Sequence, residues 1–211
     1  MLLTLEDLRV TGIVPVGTLG GFEVVTGMTE PPPEPYLYTS LLMGADELMD
    51  DSLDTLSYMQ PVLDYVNEMT NLGTPVESVL LGGLGLGCLI SGLLKLDSIV
   101  SIDVLELYPD VIDLVGPAFT GDPRVNLVQA DVTVPAYGRP YPGGDTFPPE
   151  GTTWDLAWFD TWGWPQDDPG ATRGYNAVEN IWCRTRARCY GCYGRPKQKN
   201  GNPLIRDRVV S

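Results

Sequence analysis

The sequence predicts an α/β fold with a mainly parallel sheet, and three observations predict it. Val79, Leu80 and Leu81 form a short apolar run of the kind found in strands buried on both faces. Gly82, Gly83, Gly85 and Gly87 follow at once, and the chain then enters CLISGLLKL, where Cys88, Leu89, Leu93, Leu94 and Leu96 fit an amphipathic helix. Further apolar runs recur downstream with helical stretches between them, and three of these runs end in an acid: Glu106, Asp131 and Asp160. Strand, glycine turn and helix open a nucleotide-binding α/β unit.

Glycines suit that turn because side chains would hold the backbone away from a ligand, and because the turn uses φ values costly to other residues. Their spacing narrows the ligand. A dinucleotide fingerprint needs G-x-G-x-x-G, whereas Gly83, Gly85 and Gly87 run G-x-G-x-G, with Cys88 where the third glycine belongs. The pattern points to a nucleoside ligand without a pyrophosphate. No G-x-x-x-x-G-K-[ST] occurs, which excludes a P-loop.

Taken in order, Leu8 to Val16 and Gly21 to Gly27 are rich in Val, Ile and Phe and predict a small β-hairpin joined by Gly17 to Gly20. Glu30 to Pro35 (EPPPEP) reads as a stiff connector of polyproline type, and Tyr36 to Met43 as a third strand. Asp46 to Met69 carries Leu48, Leu53, Leu56, Met59, Leu63, Val66 and Met69 at helical spacing, with Pro61 predicting two pieces or a kink. Asn71 to Pro75 turns the chain into the central strand. Ser98 to Leu107 predicts a second strand, Pro109 a helix start, Val125 to Gln129 a third strand and Asp155 to Phe159 a fourth. Gly138 to Gly151 is an inserted Pro/Gly loop. Such alternation implies parallel strands with right-handed crossovers.

The 51 residues beyond Asp160 contain no convincing pair of further βα units. Ala177 to Tyr190 reads as a helix and Pro196 to Ser211 as a loose basic tail. The sheet is therefore expected to be short, or completed by N-terminal strands. This gives three parts: an N-terminal β-rich appendage (1–45), a core with a leading helix (46–170), and a basic helix and tail (171–211).

Composition bounds the function. At 211 residues with 43% hydrophobic content, the chain builds one globular domain or one with an appendage. It has no apolar run near 18 residues, so no membrane span is expected, and Met1 to Val10 is amphipathic rather than a signal peptide. Four cysteines, three of them clustered near the C-terminus, do not make a secreted disulfide framework and point to a reducing cytoplasm. The net charge of −15 is uneven: the first 170 residues carry four Lys/Arg against 26 Asp/Glu, the remainder nine against two. The acidic body repels nucleic acid. The tail, which interleaves Arg, Lys and Tyr from Arg184 to Lys199, suits contact with nucleic acid or phosphate, or docking on the body. With no histidine, His-based metal sites, Ser-His-Asp triads and imidazole catalysis are excluded. Cys183, Cys189 and Cys192 offer three thiolates where structural zinc takes four ligands, so no metal site is expected.

Ligands of open parallel sheets bind outside the carboxyl ends of the strands, where strand order reverses. An acid at Glu106, 19 residues after Gly87, is placed to accept hydrogen bonds from ribose hydroxyls. Asp131 is placed to accept from an adenine amino group, and Asp160 to lie beside the reacting centre. Each alone also reads as a helix cap or turn aspartate; together with the glycine turn they make a site. Of the tryptophans near the fourth strand, Trp154 and Trp158 read as packing residues, and Trp162 and Trp164 as walls of a substrate pocket.

GGLGLG, LELYPDVIDL, DPRVNLVQAD and WDLAWFD, in that order, resemble the class I S-adenosylmethionine-dependent methyltransferases, with the spermidine synthase-like branch nearest. The chain also resembles compact, phage-encoded members of that superfamily. The match spans Val76 to Trp162. It implies a Rossmann-like methyltransferase fold and S-adenosylmethionine, or its decarboxylated form, as cofactor. It places Gly83, Gly85 and Gly87 against the methionine part, Glu106 on the ribose, Asp131 and Val132 around adenine, and Asp160 as the base beside the acceptor. Polyamine synthases carry an acid inside the turn where this chain has Leu86, and follow the fourth-strand aspartate with a segment unlike DTWGWPQDD. Methyl transfer to an unidentified small or macromolecular acceptor is therefore the expected activity. Aminopropyl transfer to a diamine, and a non-catalytic interaction module keeping the fold, are the alternatives. Open sheet edges invite pairing, so a homodimer is expected.

Overall fold

The computed structural model describes residues 1–28, 37–133, 139–140, 146–149, 151–161, 177–184, 186–192 and 205–207. The chain begins with a 3-10 turn, Leu5–Leu8, and enters an antiparallel sheet of four strands: Gly17–Leu19 (β1), Phe22–Met28 (β2), Leu37–Met43 (β3) and Asp46–Asp50 (β4), in the order β1-β2-β3-β4. The expected hairpin is present but displaced. Its first arm is Gly17–Leu19 rather than Leu8–Val16, because Gly20 and Gly21 supply the positive φ of the turn. The Pro-rich connector at 30–35 lies outside the described residues.

The leading helix also differs from expectation. Asp46–Asp50 is a strand paired with β3, and helix begins only at Leu53–Leu56 (α1), continuing through a 3-10 turn, Ser57–Met59, into Gln60–Asn71 (α2). The cap explains the break: the Asp50 carboxylate accepts the Ser52 N–H at 2.7 Å and the Thr55 hydroxyl at 2.9 Å. Pro61 falls in the first turn of α2, where its missing N–H costs no helical bond, so it starts a helix and introduces no kink. Val62, Leu63, Val66 and Met69 turn inward from α2.

The second sheet carries the site. Ser78–Gly82 (β5), Ser101–Glu106 (β6), Val125–Gln129 (β7), Trp154–Phe159 (β10) and Ala187–Cys192 (β11) run parallel, and Ile205–Asp207 (β12) closes one edge antiparallel. The order is β12-β11-β10-β5-β6-β7, which reverses between β5 and β10. Helices Cys88–Leu93 (α3) and Pro109–Val115 (α4) follow β5 and β6 as the sequence predicts, and a separate two-stranded ribbon pairs residues 139–140 (β8) with 146–147 (β9).

Burial on both faces accounts for the strand compositions. Val79 and Leu81, Ile102 and Val104, and Leu156 and Trp158 join one apolar cluster with α2, α3 and the N-terminal sheet; Leu80, Leu105, Ala157 and Phe159 join another with Trp154, Trp182 and Val178. The sheet extends further than the sequence suggested. Of the helix expected at Ala177–Tyr190, only the stretch up to Cys183, ending in a π-helical turn, is helical, and ARCYGC forms β11 beside β10. This strand lacks an apolar run, and its register is fixed by its neighbour: Leu156 opposite Cys189, Trp158 opposite Gly191. No helix among the described residues is long and apolar enough to cross a membrane.

Candidate functional site

The glycine turn sits where strand order reverses, flanked by the ends of β6 and β10. Asp160 N–H donates to Gly82 O at 2.8 Å, and Gly83 N–H to Leu105 O at 2.8 Å, so the turn continues both neighbouring ladders for one more step. Gly83 has φ +96°, and a Cβ there would lie 2.5 Å from the Asp160 carbonyl oxygen. Only glycine fits. Gly85 has φ +49°, and a Cβ would meet the Met49 sulfur at 2.7 Å; Gly87, φ +76°, caps α3 against the Phe119 ring. The close approaches at these three glycines are thus to the protein's own Asp160, Met49 and Phe119.

Glu106 ends β6 and is 7% exposed. Its two carboxylate oxygens are split: Oε2 accepts the Leu84 N–H of the glycine turn at 2.8 Å, and Oε1 accepts the Tyr108 N–H at 2.9 Å. Each oxygen keeps a second lone pair. Glu106 therefore ties the turn to the end of the neighbouring strand while retaining acceptor capacity. Asp131 lies two residues past β7 and half-buried; its Oδ1 accepts both the Thr133 N–H at 2.8 Å and the Thr133 hydroxyl at 2.6 Å, an Asx turn. Val132 is buried, and its carbonyl accepts the indole N–H of Trp182 at 2.8 Å.

Asp160 follows β10 on the other side of the turn, half-buried and hydrogen-bonded by the phenol of Tyr58. Desolvation raises its pKa from the ordinary 3.8 to about 6, against the Tyr58 bond, which lowers it. The next residue, Thr161, rests against Gly83 and has a buried hydroxyl with no hydrogen-bond partner among the described residues. At the start of α3, burial raises the Cys88 thiol pKa, with Asp51, Asp160 and Asp50 adding negative potential. Cys88 is therefore a neutral core thiol.

Glu106, the three glycines and Asp160 thus meet at one place, with Asp131 and Val132 beyond the next strand. Trp162 and Trp164 lie outside the described residues, as does most of the basic tail; Trp154 and Trp158 are core residues, as their positions predicted. No cluster of three or more metal-ligating side chains occurs among the described residues. Sequence reasoning missed Tyr58, which was hidden in an apolar helical stripe, and Met49, which was assigned to a helix. The DSLDT cap was the available signal: it ends the strand before Leu53 and so separates Met49 from the helix.

No family model matches the chain, and no curated protein matches it. Similar solved structures include the methyltransferase domain of bacterial CtHen1, 18% identical, covering 64% of each chain with TM-score 0.45. A spermidine synthase in complex with the transition-state analogue AdoDATO is 14% identical, covering 80% of this chain and 55% of that one, with TM-score 0.46. CalS10 with bound SAM, an amino pentose methyltransferase from Micromonospora echinaspora, is 14% identical, covering 64% and 50%, with TM-score 0.42. The chain spans less than two thirds of the length of each. The strand order, the parallel register and the glycine turn at the reversal define a Rossmann-like α/β fold.

Proposed function

We propose that this chain is an S-adenosylmethionine-dependent transferase that moves a methyl group to an acceptor held at Asp160. The observation that carries the reading is the junction of Asp160, Tyr58 and Gly83: a carboxyl with pKa near 6, oriented by a phenol, in backbone contact with the glycine turn at the strand reversal.

The residues fit such a cofactor. Glu106 has lone pairs free for ribose hydroxyls, and the buried Thr161 hydroxyl beside Gly83 lacks a partner among the described residues. Gly83, Gly85 and Gly87 would bound the methionine part, with Asp131 and Val132 beside adenine. When bound, the sulfonium supplies an electrophilic methyl carbon and a neutral thioether leaving group. Asp160, ionised above about pH 6, accepts the proton that the acceptor's O–H or N–H loses as its lone pair forms the new bond to carbon. Tyr58 holds the carboxylate toward that proton. The rest is positioning and exclusion of water.

A second reading uses the same carboxylate. Asp160 at the strand reversal would equally take the proton of a diamine nitrogen, which makes aminopropyl transfer from the decarboxylated cofactor the alternative. Incubating the full-length chain with each cofactor and pooled amines, catechols, peptides and nucleic acids separates the two. S-adenosylhomocysteine as product supports methyl transfer, and methylthioadenosine supports aminopropyl transfer. Neither product from a folded chain, at a level Asp160→Asn does not match, overturns both.

A further inference from the structure

Met49 stands over the glycine turn. It belongs to β4, the edge strand of the N-terminal sheet, whose pairing with β3 slips so that Leu41 faces Met49 and Leu42 faces Glu47, with Leu48 the extra residue. A bulge of this kind re-aims the neighbouring side chain. The Met49 thioether accepts the Leu86 N–H at 3.4 Å and covers Gly85.

Three other amides of the turn have strong acceptors at 2.8 Å: Gly83 N–H on Leu105 O, Leu84 N–H on Glu106, and Gly87 N–H on Leu84 O. Leu86 alone among these four donates to a thioether, a weak acceptor on a side chain with three rotatable bonds. Of these four bonded donors, its N–H is the one given up most readily to an oxygen. The covering atom over Gly85 is also the movable end of a flexible chain, unlike the backbone carbonyl that covers Gly83.

We infer that Met49 is a displaceable cover that makes the site sensitive to the ligand's tail. A ligand with an amino-acid tail lifts the thioether off Gly85 and takes the Leu86 N–H with its carboxylate. A nucleoside without a tail leaves Met49 in place. The inference rests on the adenosyl-ligand reading above, and it makes Met49 a positioning residue for that ligand.

The test titrates the full-length wild type, Met49→Ala and Met49→Leu with S-adenosylhomocysteine and with adenosine. Met49→Ala is expected to tighten S-adenosylhomocysteine about tenfold and to leave adenosine unchanged. Met49→Leu keeps the bulk over Gly85 and is expected to stay within about threefold of wild type for both. In carbon-13 methyl spectra, the Met49 signal, assigned by its loss in Met49→Leu, moves with S-adenosylhomocysteine and stays with adenosine. Equal or weaker S-adenosylhomocysteine binding by Met49→Ala, or a Met49 methyl that responds alike to both ligands, overturns the inference while leaving the adenosyl reading intact. No binding of either ligand by any of the three folded proteins removes both.

Discussion

Tyr58 donates its phenol to the carboxylate of Asp160 across 102 residues of sequence, joining the 3-10 turn before α2 to the end of β10. One short segment thus supplies two groups to the strand reversal, since Met49, nine positions before Tyr58, covers the glycine turn. The N-terminal sheet and its following turn thus border the strand reversal.

The bond stabilises the ionised form of Asp160, so removing it lets desolvation raise the pKa further. Transfer by the wild type is expected to rise with pH through about 6 and then level. In Tyr58→Phe that limb should move up by about one unit, so activity falls more at pH 6 than at pH 8. A pH–rate profile of the two proteins checks this; an unchanged limb removes Tyr58 from the chemistry.

The same raised pKa predicts an opposition between stability and activity. Between the unfolded value of 3.8 and about 6, the folded chain holds more protons at Asp160 than the unfolded chain, so this residue's contribution declines as pH rises through that window. Above it the ionised, desolvated carboxylate costs about 2–3 kcal/mol, from 1.36 kcal/mol per unit. Asp160→Asn should therefore raise stability at pH 7, show little gain at pH 4, and abolish transfer. Urea unfolding at both pH values is the measurement, and an Asp160→Asn protein less stable at pH 7 than wild type would contradict it.

Gly83→Ala places a Cβ against the Asp160 carbonyl in a left-handed residue. The left-handed conformation alone costs about 1–2 kcal/mol, and the backbone contact adds to it. A drop of at least about 2 kcal/mol in unfolding free energy is expected, with loss of ligand binding.

Glu106→Gln leaves one carbonyl oxygen for two backbone donors and turns an amide N–H₂ toward the other. Stranding a buried donor costs about 1–3 kcal/mol. The variant should melt lower than wild type and bind any adenosyl ligand at least about tenfold more weakly; thermal melts with and without ligand separate the two effects.

The central fold was legible because its strands are specified by their own residues. Val79–Leu81 and Leu156–Phe159 are apolar on both faces, Val125–Gln129 carries Val125 and Leu127 on one face and Val128 on the other, and the glycine turn and Pro109 mark where two helices begin. Elements specified by neighbours were not legible. DELMD has the composition of a helix and is held extended by β3; ARCYGC is polar and small and is a strand because β10 offers an edge. The acids at the strand ends were visible as a set, but their present partners were not: backbone N–H groups of Leu84 and Tyr108 for Glu106, Thr133 for Asp131, and a phenol distant in sequence for Asp160.

Isothermal titration of the full-length chain with S-adenosylmethionine, beside Glu106→Ala and Asp131→Ala, decides whether the strand reversal holds an adenosyl ligand. One-site binding to the wild type that weakens in both variants is the expected result. No heat at millimolar ligand from a chain shown to be folded, or binding that both substitutions leave untouched, would contradict it.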